Sequence, residues 1–234
     1  MLNNIFNAIG RLITMVRNND ITIVTSHKNS DPDALASSFY IYNFVKNMLH
    51  KDTYIILPEG LNEVAKKIAH YFNIQDRIFV PEILLKSCLK YYKKTVIVVD
   101  TSSIEQLGGL KDIILAADTL IVIDHHSGGN LVEYADASII KPGYCSVSEL
   151  VYKLLGKIHK PDSIEAMMLL MGIIYDTRRF LIANKDTMFT VNELLAIPGV
   201  DYRRAIELLR VEMDLSEKIA RLKAAQRLRF KRVN

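Results

Sequence analysis

Two runs of this chain, Thr95–Val99 and Thr119–Ile123, constrain it more than any other feature. Apart from the leading threonines they are aliphatic and mostly β-branched, and each runs straight into an aspartate. Such short, unbroken apolar runs predict strands covered on both faces, which belong to parallel sheets with helices on either side. Ile21–Ser26 is a third run of this kind, and Tyr54–Leu57 and Arg77–Val80 are further strand candidates. Helical periodicity is expected over Leu2–Val16, Ala34–Leu49, Asn62–Tyr71, Ile83–Leu89 and Gly109–Ala116. Strands alternating with helices imply an α/β fold with a mostly parallel sheet flanked by helices.

Beyond residue 140 the pattern turns helical: Ser146–Leu155, Ser163–Tyr175, Thr187–Ala196, Tyr202–Arg210 and Leu215–Arg229. A length of 234 residues with 50% apolar and 24% charged side chains supports a sizeable core and excludes a disordered chain. Two distant cysteines, Cys88 and Cys145, argue against a disulfide framework and fit a reducing compartment. The first residues read as an amphipathic helix, without a basic and then apolar leader. With no apolar run of ~18 residues to span a membrane, the expected location is the cytoplasm.

Chemistry-bearing residues follow the strands. His27, Asp31 and Asp33 come after the first, Asp100 after Thr95–Val99, and Asp124, His125 and His126 after Thr119–Ile123. Asp176, then Thr177, Arg178 and Arg179, close a helical run. In open parallel sheets ligands bind outside the carboxyl ends of the strands. A single aspartate there is usually a helix N-cap, which is the plain alternative for Asp33 or Asp100 alone. Several carboxylates at one sheet edge repel one another unless cations neutralise them. Mixed carboxylate and imidazole donors suit first-row divalent ions. The number of acids points to a pair of ions bridged by one carboxylate, the apparatus of phosphoryl displacement. Arg178 and Arg179 are candidate phosphate binders, because the guanidinium fork matches phosphate oxygens. His50, His70 and His159 lie apart and read as surface or packing residues.

Val122-Ile-Asp-His-His126 resembles the signature of the DHH phosphoesterase superfamily. His27-Lys-Asn-Ser-Asp-Pro-Asp-Ala-Leu-Ala-Ser37, Val98-Val-Asp-Thr101 and Gly172-Ile-Ile-Tyr-Asp-Thr-Arg-Arg-Phe180 resemble three further motifs of that family, in order. The first motif is closest in character to the nano-RNase and pAp-phosphatase group, with an echo of family II pyrophosphatases. Ser30 and Pro32 depart from those groups between the expected ligands.

The resemblance implies that His27, Asp31 and Asp100 hold one divalent ion, and that Asp33, Asp100, His125 and Asp176 hold another, Mn²⁺ being the first expectation. It implies that His126 faces the substrate phosphate and that Asp124 orients a neighbouring ligand. The expected activity is hydrolysis of phosphodiester or phosphomonoester bonds in short oligonucleotides or small nucleotides. A RecJ-type exonuclease of single strands, a pyrophosphatase and a non-catalytic nucleic-acid-binding or replication-scaffold protein are the alternatives. The catalytic domain is expected over residues 1–185. Residues 186–234 are expected to form a helical extension, without the family's usual substrate-binding domain.

Net charge is +4, but Lys218, Arg221, Lys223, Arg227, Arg229, Lys231 and Arg232 meet no acid between residues 218 and 234. This basic helix is a candidate for single-stranded nucleic acid. Its stripe of Leu215, Ile219, Leu222, Ala225 and Leu228 predicts docking on the core or on another subunit, so a homodimer is among the expectations.

Overall fold

The computed structural model describes residues 2–78, 91–210 and 215–226. Among them runs a five-stranded sheet in the order β2-β1-β3-β4-β5, with every neighbouring pair parallel. The strands are β1 (Ile21–Thr25), β2 (Asp52–Ile55), β3 (Lys94–Val99), β4 (Thr119–Asp124) and β5 (Ala137–Ile140). Alternate residues divide between two cores. Val24, Ile97, Val99, Ile121 and Ile123 face one side, and Ile23, Val96, Val98, Leu120 and Val122 face the other. Period-two side chains and cover on both faces explain why β3 and β4 are almost wholly apolar.

The first face is covered by helices α1 (Leu2–Arg17), α2 (Pro32–Asn43), α3 (Glu63–Tyr71), α6 (Val147–Leu155) and α7 (Ser163–Asp176). Every residue of α2 is buried, because it packs on the sheet and is overlaid by α6 and α7. The second face is covered by a 3₁₀ segment, Ile104–Leu110, which continues into α5 (Lys111–Leu115), and by Leu131. Helices α8 (Lys185–Leu195) and α9 (Tyr202–Leu208) build outward from α7. The chain leaves β1 toward β2, then crosses to place β3, β4 and β5 on the other side. Connections therefore diverge between β1 and β3, and that divergence opens a crevice at their carboxyl ends.

Several expected elements differ. Residues 75–78 form a short helix, α4 (Gln75–Ile78), where the sequence predicts the start of a strand, while Phe79, Val80 and the expected helix Ile83–Leu89 lie outside the described residues. The strand expected at 54–57 begins earlier, at Asp52, and ends at Ile55. The helix expected to reach Leu49 is α-helical only to Asn43 and then widens into a π turn, Phe44–Met48. Strand β5 has no counterpart in the sequence reading: its residues are half-buried or exposed along an edge, so no continuous apolar run marks it.

Helix α10 (Leu215–Gln226) is present as expected, and the rest of the expected helix lies outside the described residues. Within its stripe, Ile219 is 43% and Leu222 67% exposed, so these two residues are not buried against this chain's core. Among the described residues, no helix is long and apolar enough to cross a membrane.

Candidate metal centre

The crevice gathers all six candidate ligands. Donor atoms of His27, Asp31 and Asp100 lie within 4.8 Å of one another, and so do those of Asp33, Asp100, His125 and Asp176. Asp100 is common to both sets. Its Oδ2 lies 3.5 Å from His27 Nε2 and its Oδ1 3.5 Å from His125 Nε2. His125 Nε2 is also 3.2 Å from Asp176 Oδ2.

Each donor is placed by a local device. Asp31 is the N-cap of α2, its Oδ1 accepting from the backbone of Asp33 (2.9 Å) and Ala34 (3.0 Å), with Pro32 opening the helix. Asp33 is fully buried, and its two oxygens accept from Val147 N (2.7 Å) and Ser148 N (2.8 Å) at the start of α6. The N-cap alternative thus describes Asp31 in its own helix, whereas Asp33 binds the N-terminus of a helix more than a hundred residues away. Asp100 follows β3 directly, and its own N–H donates to Ile123 O at 3.1 Å. It is held at φ 61°, a left-handed conformation that costs a non-glycine residue about 1 kcal/mol or more. Strain of this kind persists only where the surroundings over-determine it, here at the centre of the cluster.

Electrostatics set the donors of the cluster against one another. Burial, then the charges of Asp100 and Asp176, push Asp31 up to about 7. Burial, then Asp176, Asp100 and Asp31, push Asp33 well above the usual carboxylate range. Burial works against charge on His27 and His125, but hydrogen bonding and charge from Asp100 outweigh it, with Asp176 adding to His125. His27 is raised to about 9 and His125 to about 11. Asp100 is lowered in return: burial opposes its charge, and hydrogen bonds from His125 and His27 prevail. Asp100 Oδ1 and His125 Nε2 nevertheless stay buried without a hydrogen bond of good geometry. Unpartnered buried polar atoms are costly and call for an unseen partner. The two donor sets, with a third made of Asp100, His125 and His126, offer oxygen and imidazole donors that suit divalent cations of the first row.

At pH 7, His27 and His125, raised to about 9 and about 11, carry protons that a cation must displace. Loading with Mn²⁺ is therefore expected to release protons, and apparent affinity to fall as pH is lowered. Calorimetric titration in two buffers of different ionisation enthalpy measures the release; equal heats in both buffers would contradict it.

The remaining candidates divide. Asp124 is buried, and its Oδ1 receives the backbone N–H of His126 (3.1 Å) and lies 2.8 Å from its ring Nδ1. Burial opposes its charge, but the bonds from His126 prevail and hold it below the usual range. The His126 ring is largely exposed and lies 4.1 Å, centroid to centroid, from that of His125. It lines a cavity of about 410 Å³ together with His27, Asp31, Asp100, Asp124 and Asp176. Arg178 and Arg179 are exposed and stand outside this cavity, lining a neighbouring hollow with Tyr175 and Leu209. They lie in a left-handed turn, φ 51° and 59°, which leads the chain away from the end of α7.

Sequence reading overlooked Thr101, Ser102, Ser103 and Ser127, which line the cavity. Ser102 Oγ accepts from Gly129 N at 2.8 Å, and a Cβ on Gly129 would meet Ser102 O at 2.5 Å, so these two loops approach as only glycine allows. A row of hydroxyls directly after Asp100 was the available signal.

A model of the DHH family, N-terminal domain, matches residues 21–173. An uncharacterised protein of Methanocaldococcus jannaschii is 29% identical over 91% of this chain and 61% of its own length. A cyclic-di-AMP phosphodiesterase of Listeria monocytogenes is 26% identical over 83% of this chain and 30% of its own length. A manganese-dependent inorganic pyrophosphatase of Methanothrix thermoacetophila is 27% identical over 86% of this chain and 63% of its own length. The chain thus spans less than two thirds of these relatives. The crystal structure of an exopolyphosphatase-related protein from Bacteroides fragilis shares the fold, with a TM-score of 0.81 at 20% identity over 96% of this chain and 66% of that one.

Proposed function

The chain belongs to the DHH family, and on that premise we propose that it is a metal-dependent phosphoesterase acting on small nucleotides or short oligonucleotides. One observation carries this reading: Asp100, strained and buried, joins two donor sets that converge at one sheet edge. His27, Asp31 and Asp100 would hold one divalent ion, and Asp33, Asp100, His125 and Asp176 the other. Bound there, the ions supply neutralisation of phosphate charge and activation of water at neutral pH. Relatives named for cyclic-di-AMP and for pyrophosphate support a phosphorus–oxygen bond as the target.

The protein's own groups have separable tasks. Asp124 fixes the His126 ring through Nδ1, which turns the other edge of the imidazole to the cavity. His126 is proposed to donate to a phosphate oxygen there. Among the described residues that line the cavity there is no lysine or arginine, so imidazole and metal together are assigned the phosphate charge. The cavity volume falls within the ~300–1,000 Å³ range of small-molecule sites.

His126→Ala is expected to retain its metal and to lose ~10²–10³-fold in turnover. Metal content measured on that variant decides the assignment, because a lost ion would make His126 a ligand. The reading as a whole is tested with Mn²⁺ and a panel of pAp, dinucleotides, short RNA, single-stranded DNA and inorganic pyrophosphate. Hydrolysis of a nucleotide substrate that stops on chelation is the expected result; a protein that binds Mn²⁺ yet cleaves none of the panel would overturn it.

A further inference from the structure

Glu149 is 1% exposed, carries an acid into the protein interior and has no place in the chemistry above. Its spacing suggests a simple duty. Ser146 caps α6 and accepts from Glu149 N at 3.1 Å, and a glutamate at this position normally reaches back to the backbone N–H of the cap residue itself. Asp162 and Glu165 do this at the start of α7. Glu149 does not. Its Oε2 accepts instead from the N–H of Cys145, one residue earlier, at 3.2 Å, and from Thr187 Oγ1 on α8 at 2.8 Å.

That choice matters because Cys145 N–H and Tyr144 C=O belong to one planar peptide group. The carbonyl end of this group lies 3.3 Å from His125 Nδ1. One carboxylate, one peptide and one imidazole therefore form a continuous line, with His125 Nε2 at its far end facing Asp100 and Asp176. Hydrogen bonds in series polarise one another. A charge on the N–H side makes the carbonyl a better acceptor, and a better acceptor holds the imidazole proton on Nδ1. The loop is braced further by Asn184, whose Nδ2 donates to Gly143 O at 3.2 Å.

We propose that Glu149 is a positioning residue, which acts through the Tyr144–Cys145 peptide to hold His125 as the tautomer and in the orientation that present Nε2 to a metal ion. The inference rests on the metal-centre reading but assigns a role that the ligand set does not contain. Partners that orient a ligating histidine typically contribute 10–100-fold in metal affinity. The competing role is structural: through Thr187, Glu149 would only tie α6 to α8.

Mn²⁺ affinity and metal-free Tm, measured on the wild type and on Asp100→Asn, Glu149→Gln and Thr187→Val, separate these roles. Gln keeps the shape and an oxygen acceptor but removes the charge. Val removes the tie to α8 and leaves the peptide untouched. Glu149→Gln is expected to weaken Mn²⁺ by ~10–100-fold with little change in the metal-free Tm. Thr187→Val is expected to retain wild-type affinity. Unchanged affinity in Glu149→Gln, or an equal loss in both variants, overturns the proposal. Failure of the wild type itself to bind Mn²⁺, or equal binding by Asp100→Asn, would instead overturn the metal-centre reading.

Should Glu149→Gln not fold, the Zn²⁺-loaded wild type with ¹⁵N-labelled histidine supplies an independent measurement. A His125 proton on Nδ1, protected from exchange, is expected, and its absence overturns the proposal.

Discussion

Asp100→Asn is expected to abolish the proposed metal-dependent phosphoester hydrolysis, with a loss of ~10³-fold or more in turnover. The substitution is isosteric, so the left-handed backbone at φ 61° and the bond from Asp100 N to Ile123 O can persist. The change removes the charge that both donor sets share. His27 and His125 each place Nε2 at 3.5 Å from one of its oxygens, so no other single change weakens both sets together. Metal content should fall along with activity, which direct metal analysis of the purified variant will show. An Asp100→Asn protein that retains both ions and full turnover would remove the basis of the proposed function.

Gly172→Ala is expected to destabilise the protein by about 1–3 kcal/mol, the range for forcing a methyl group into a packed interior. The sign is the diagnostic feature, because glycine to alanine inside a helix ordinarily stabilises by roughly 0.5–1 kcal/mol. Gly172 lies within α7, where that helix crosses α2. A Cβ there would collide with Ser148 Oγ and lie 2.8 Å from Asp33 Oδ1 and 3.1 Å from Asp33 Cα. Helix α2 is buried along its whole length and cannot retreat. Helix α7 would have to move, taking Asp176 with it and straining the bonds from Asp33 to the start of α6. Thermal melting should show a lower Tm, by roughly 2–4 °C per kcal/mol for a chain of this size. Mn²⁺ titration should show weaker binding. A variant as stable as the wild type, with unchanged affinity, would show that α2 and α7 have room to spare.

Residues legible in the sequence are those whose signal is local. The apolar runs that form β3 and β4 announce strands covered on both sides, since four consecutive aliphatic positions put apolar side chains on both faces of a strand. Their trailing aspartates and histidines announce the functional edge, because parallel strands deliver the residues after their carboxyl ends to the same side of the sheet. His27, Asp31, Asp33, Asp100 and His125 are recognisable on that basis, and Asp176, which closes a helix, by the family likeness of the motif that contains it. Edge strand β5 is not legible, because a strand with one neighbour needs no continuous apolar run. The exposure of Ile219 and Leu222 is not legible either, since an apolar stripe shows that a helix could dock but not on which surface.

The sequence by itself determined the class of fold, the edge at which chemistry gathers and the kinds of atom offered there. Period-two burial and the spacing of donors around strand ends are written in consecutive residues, so one dimension suffices to read them. Tertiary structure alone decided how those atoms are held. Asp33 is aimed by the N-terminus of α6, Gly172 leaves room for that approach, and Glu149 reaches His125 only through the peptide of another loop. Each of these relations joins groups on separate elements, through contacts of about 3 Å that exist only once the helices have packed. Composition and spacing carry no trace of such contacts, because hydrogen bonds are set by distance and direction in space and not by separation along the chain.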